Sequence, residues 1–86
     1  MRKAKRKTRS PKNTGTVDKY IGVRMRQNRL ALDISQASLG KVLGVSLQQI
    51  QKYESGQNRI SAARLFDICK ALNVALSSMF EDDPRA

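Results

Sequence analysis

Two serine-headed, glycine-stopped segments follow one another with only Gly44-Val45-Ser46 at their junction, and this punctuation constrains the chain more than any other feature. Ser35 precedes Gln36 to Leu43, where its hydroxyl can accept from an orphan amide of a first helical turn, and Gly44 stands where a left-handed residue ends a helix. Ser46 precedes Leu47 to Glu54 in the same way, with Gln49 completing a Ser-x-x-Gln capping box and Gly56 following Ser55. The flanking segments carry helical spacing as well. Ile21, Met25, Asn28 and Leu32 step by four, three and four along a helix of about Asp18 to Leu32. Leu65, Ile68, Cys69 and Leu72 do the same in Ala62 to Leu72, behind Ser61. A last helix, Leu76 to Phe80, opens at Ala75, which has no hydroxyl or acid to cap it. Nothing alternates with period two for long enough to make a strand. The expected class is all-α, with five helices.

Length and charge narrow what such a bundle can do. Its 86 residues support one small domain. With no histidine and one cysteine there is no His-based triad, no zinc site of usual ligand number and no intramolecular disulfide. No catalysis, metal or cofactor is expected. The apolar runs fall far short of the ~18 residues that span a bilayer, so a soluble, unsecreted, cytoplasmic protein is expected, without a membrane partner. Lys+Arg 17 against Asp+Glu 7 gives a net charge of +10, which favours a polyanion. Residues 1–16 hold seven of the cations (Arg2, Lys3, Lys5, Arg6, Lys7, Arg9, Lys12) and no acid, and read as a disordered basic arm. Residues 17–80 form the expected domain, and 81–86 an acidic tail. Lys19, Arg24, Arg26, Arg64 and Lys70, scattered over amphipathic helices, read as solubilising charges. Cys69 and Tyr53 read as core.

The second short helix is built of hydrogen-bonding surface: Gln48, Gln49, Gln51 and Lys52 crowd it, and only Ile50 and Tyr53 face inward. Two short helices about a tight glycine turn, the second rich in amides, make a helix-turn-helix motif over residues 36–55. Counting Gln36 as first, Gly40 is fifth, Gly44 ninth and Ile50 fifteenth, where the motif wants close approach, a left-handed turn and a buried aliphatic residue.

The stretch SQASLGKVLGVSLQQIQKYESGQNRISAARLFDICKALNV resembles the Cro and lambda-repressor type of helix-turn-helix domain, the XRE family, with the likeness extending over about residues 17–80. Arg29 before the motif, Gln36 at its start, Leu43-Gly44-Val45 in its turn and Tyr53-Glu54-Ser55-Gly56 at its end carry the likeness. The run QQIQKYESGQNRISAARL is similar to short regulators common in alphaproteobacteria. Gly40 stands where the family usually has Ala; the change should weaken the helix by about 0.5–1 kcal/mol while permitting close contact.

The resemblance implies a transcriptional regulator, a repressor by family habit, in which the second motif helix enters the major groove of double-stranded DNA. Leu47, Gln48, Gln51 and Lys52 would then read bases: Leu on a thymine methyl, Gln on adenine, Lys on guanine. Gln36, Ser46, Arg29, Lys41, Asn58 and Arg59 would approach phosphates and fix register, with Gln36 also steadying the glutamines. Arg29 would pair with Glu54 as a structural ion pair. Leu76, Met79 and Phe80 would form a homodimer contact on a near-palindromic operator, in a nucleoid-associated protein. The alternative is an antitoxin that binds a toxin or other protein partner and its own operator.

Overall fold

The computed structural model describes residues 15–81, and these contain four α-helices, a closing 3₁₀ turn and no strand. The helices are α1 (Gly15–Ala31), α2 (Gln36–Leu43), α3 (Leu47–Ser55) and α4 (Ala62–Leu72), and the 3₁₀ turn is Leu76–Phe80. The expectation of five helices is therefore corrected to four. At the fifth, Ala75 offers no side-chain cap, and five residues close on an i→i+3 bond from Ser78 N to Ala75 O at 2.9 Å. The basic arm lies outside the described residues apart from Gly15 and Thr16, which already belong to α1. Of the acidic tail only Glu81 is described.

The three serines act as the sequence suggests. Ser35 Oγ accepts from Ser38 N, Ser46 Oγ from Gln49 N and Ser61 Oγ from Arg64 N, each at 3.0 Å. Helices α1, α2 and α4 end alike, each on a left-handed residue: Asp33 (φ 58), Gly44 (φ 75) and Asn73 (φ 57). In each a paired bond closes the turn, as where Ile34 N reaches Arg29 O at 3.2 Å and Asp33 N reaches Leu30 O at 2.9 Å. The apolar residue that follows, Ile34, Val45 or Val74, then packs against the core.

Every element contributes to one core: Met25 from α1, Leu39 from α2, Ile50 from α3, Leu65, Ile68, Cys69 and Leu72 from α4, and Met79 from the 3₁₀ turn. Two expectations fail here. Leu32 lies past the end of α1 and is 48% exposed, because the chain has already turned toward Asp33. Met79, expected beside Leu76 and Phe80 at a contact between copies, is 0% exposed and belongs to the core. Burying such a side chain is worth about 1.5–3 kcal/mol within the monomer, so it is not available to a second copy.

Two arginines read as solubilising charges also have structural roles. Arg24 donates from Nε to Ser78 O at 2.7 Å and from Nη1 to Gln27 Oε1 at 2.9 Å, tying the 3₁₀ turn to α1. Arg64 donates from Nη1 to Leu43 O at 3.1 Å, occupying a carbonyl at the end of α2. Lys70 stands over the Phe66 ring, 5.5 Å from its centroid.

Candidate nucleic-acid interface

Helix α3 has one edge against the core and one in solvent. Ile50 is buried and Tyr53 packs against the core, while Gln48, Gln51 and Lys52 are exposed on the other side. Leu47, at its first turn, is also exposed, and Gln49 is half-buried. These positions follow from the cap: Ser46 starts the helix so that positions four and seven turn inward.

Glycine lets the main chains of its neighbours reach α3. A Cβ on Gly40 of α2 would stand 2.7 Å from Val45 O and 3.4 Å from Ile50 Cγ1, so the family's usual Ala would press on the turn here. A Cβ on Gly22 of α1 would stand 2.5 Å from Glu54 O and 2.6 Å from Tyr53 O. Helix α1 thus lies directly on the C-terminal end of α3. Gly56 (φ 79) needs its glycine twice, for its left-handed backbone and for its approach to Lys19, whose Cα would be 2.8 Å from a Cβ there.

A buried polar cluster fixes the same end of α3. Arg29 donates to Glu54 through Nε to Oε2 at 2.7 Å and Nη2 to Oε1 at 3.1 Å, and its Nη1 donates to Ile34 O at 2.7 Å. Arg29 is 5% exposed and Glu54 8%. Gln36, first residue of α2, donates Nε2 to Glu54 Oε1 at 3.0 Å. One carboxylate therefore joins α1, α2 and α3. Arg29 presents no free guanidinium to solvent, and the Gln36 side chain is directed to Glu54 and not to the glutamines of α3.

The remaining candidates surround that end and the turn. Ser46 Oγ is occupied as a cap, and Lys41 is exposed on α2. Asn58 is half-buried in the loop after α3, where its N donates to Lys52 O at 3.2 Å. Arg59 follows, largely exposed, with its Nε 3.5 Å from Asp18 Oδ1. The structure thus ties the loop of Asn58 and Arg59 to the end of α3, and withdraws Arg29 and the Gln36 side chain into the cluster about Glu54. Sequence reasoning passed over Asp18 and Gly22. A glycine in the middle of an otherwise regular helix was the signal for Gly22; nothing local marked Asp18, whose partner lies more than forty residues away.

Among the described residues no group of three or more Cys, Asp or Glu side chains is placed to hold a metal, and no helix is long and apolar enough to cross a membrane. Burial pushes the Cys69 thiol above its ordinary pKa, which suppresses the reactive thiolate.

Known proteins share this arrangement. The HTH_3 helix-turn-helix family matches residues 25–78. A protein of Rhodospirillum rubrum, described as a transcriptional regulator in the ATPase CF(0) region, is 55% identical over 73 residues, covering 80% of this chain and 68% of its own. An HTH-type transcriptional regulator of Sinorhizobium medicae (strain WSM419) is 48% identical over 73 residues, covering 85% of this chain and 52% of its own. The chain therefore spans about two thirds of the first relative and about half of the second. Among solved structures, the P22 c2 repressor in complex with a synthetic operator superposes with a TM-score of 0.65 at 33% identity, over 73% of this chain and 96% of that one. With more than half of its length matched, a cap-turn-cap geometry to go with the match, and relatives well above 30% identity, the chain belongs to the HTH_3 family of helix-turn-helix DNA-binding transcriptional regulators, of the XRE or lambda-repressor type.

Proposed function

We propose that this chain binds specific sequences of duplex DNA by laying α3 in the major groove, and that it acts in the cytoplasm as a nucleoid-associated homodimeric repressor on a near-palindromic operator. The observation that carries this reading is the contrast between the two edges of α3: Gln48, Gln51 and Lys52 are exposed, while the opposite edge is held by main-chain contacts and by the Arg29–Glu54–Gln36 cluster. Gln48 and Gln51 have the paired donor and acceptor that adenine N7 and N6 require, Lys52 can donate to guanine, and Leu47 can pack on a thymine methyl. Lys41, Ser46, Asn58 and Arg59, with the start of α2 at Gln36, are the candidates to approach the flanking phosphates. Arg29 acts through Glu54 by holding the helix, and touches no phosphate. The basic residues before α1 add sequence-independent affinity. The likeness to the P22 c2 repressor, solved in complex with a synthetic operator, supports duplex DNA as the partner here.

Selection from random duplex DNA at ~150 mM salt, where nonspecific affinity is suppressed, tests the proposal. An enriched inverted repeat is expected. Gln48→Ala and Lys52→Ala should each lose about 1–3 kcal/mol of discrimination at individual base pairs of that site. Salt-labile binding to every duplex with no enriched sequence would overturn it.

A further inference from the structure

An acid–base pair between Asp18 of α1 and Arg59 of the loop after α3 is left unexplained by the reading of α3. Arg59 has its side chain 63% exposed, yet its Nε stands 3.5 Å from Oδ1 of Asp18, whose own side chain is only 11% exposed. Both partners are anchored. Asp18 is held because the main chain of its neighbour Lys19 lies against Gly56, and the loop is held by the bond from Asn58 N to Lys52 O and by Ile60 against the core. An ion pair with so exposed a partner adds little to stability. An acid beside a phosphate-binding edge also opposes binding by its charge. Its placement needs another reason.

The geometry supplies one. Asp18 approaches Arg59 at Nε, the edge of the guanidinium nearest its stem, and the arginine side chain as a whole stays 63% exposed, so the pair leaves guanidinium surface open to solvent. A guanidinium matches a phosphate oxygen pair, and an arginine already held loses less rotamer freedom when it binds. We propose that Asp18 is a positioning residue, which holds Arg59 so that its exposed guanidinium receives a backbone phosphate of duplex DNA engaged by α3. The proposal rests on the duplex-DNA reading above, and assigns to α1 a part in binding that its sequence does not announce.

The full chain is titrated with a mixed-sequence DNA duplex over a potassium chloride series, as wild type, Asp18→Asn, Arg59→Ala, the double variant and Asp18→Glu. Arg59→Ala is expected to reduce the slope of log K against log salt by about 0.9, the value of one phosphate contact. Asp18→Asn is expected to reduce it likewise and to weaken binding, although it removes a negative charge; the double variant should be no weaker than Arg59→Ala, and Asp18→Glu should restore the wild-type slope. Tighter binding of Asp18→Asn in both backgrounds would make Asp18 a merely repelling acid, and tighter binding in the wild-type background alone would mean that it withholds Arg59; either overturns the proposal. Arg59 lies in an exposed loop, so an unchanged slope in Arg59→Ala overturns it even if Asp18→Asn disturbs α1. Failure of the wild type to bind duplex DNA would instead remove the reading on which the proposal rests.

Discussion

Glu54 shows how much can depend on one carboxylate. It lies inside the molecule with Arg29 on one side and the Gln36 amide on the other, so losing its charge strands a buried guanidinium. Glu54→Gln should cost about 3–5 kcal/mol, read as a lower urea midpoint at unchanged m-value. Replacing Arg29 and Glu54 together by apolar residues of similar volume should recover most of that loss, because the cost lies in the unpaired charge. The pairing of these two residues was legible from the family pattern around Arg29 and Glu54. The contact with Gln36 was not, since it depends on where α2 sits against the end of α3. The contacts of Arg24 and Arg64 were equally hard to foresee: a cation on a helix gives no local sign that a carbonyl such as Ser78 O or Leu43 O awaits it.

Element boundaries followed wherever one side chain dictated the backbone. Ser35, Ser46 and Ser61 started helices and Gly44 and Gly56 stopped them, so α2, α3 and α4 stood where the sequence put them. The ends of α1 were less legible. Its stop uses Asp33 in a left-handed conformation that is cheap only for glycine, asparagine and aspartate, and its start at Gly15 precedes the expected first residue Asp18, which lies inside the helix as a partner of Arg59. The 3₁₀ turn is the element most open to improvement. Ala75 has φ −70 and ψ 148, close to the conformation of the three capping serines, and lacks only the oxygen. Ala75→Ser should stabilise the domain by about 0.5–1 kcal/mol, seen as a higher melting temperature. An unchanged melt would mean that Arg24, and not the cap, limits the stability of this turn.

Across the whole molecule, the surface left by the 3₁₀ turn separates packing from association. Leu76 and Phe80 are 50% and 43% exposed, while Met79 between them is fully buried. Met79→Ala should therefore cost about 2–5 kcal/mol of folding stability. Leu76→Ser with Phe80→Ser should leave the melt nearly unchanged and shift sedimentation toward the monomer, if copies pair through this face. Sedimentation unaltered by the double change would remove this face from the proposed dimer. A different consequence follows from the glycines. At Gly22 and Gly40, helices α1 and α2 reach the ends of α3 through its carbonyls and the turn before it, so the pose of α3 is set by atoms that every amino acid shares. The outward residues Leu47, Gln48, Gln51 and Lys52 take no part in that seating. Such a scaffold can exchange its lettering without moving the page: with α3 reading DNA as proposed, a lineage of these proteins is free to acquire new target sequences by drift on one narrow strip of a single helix.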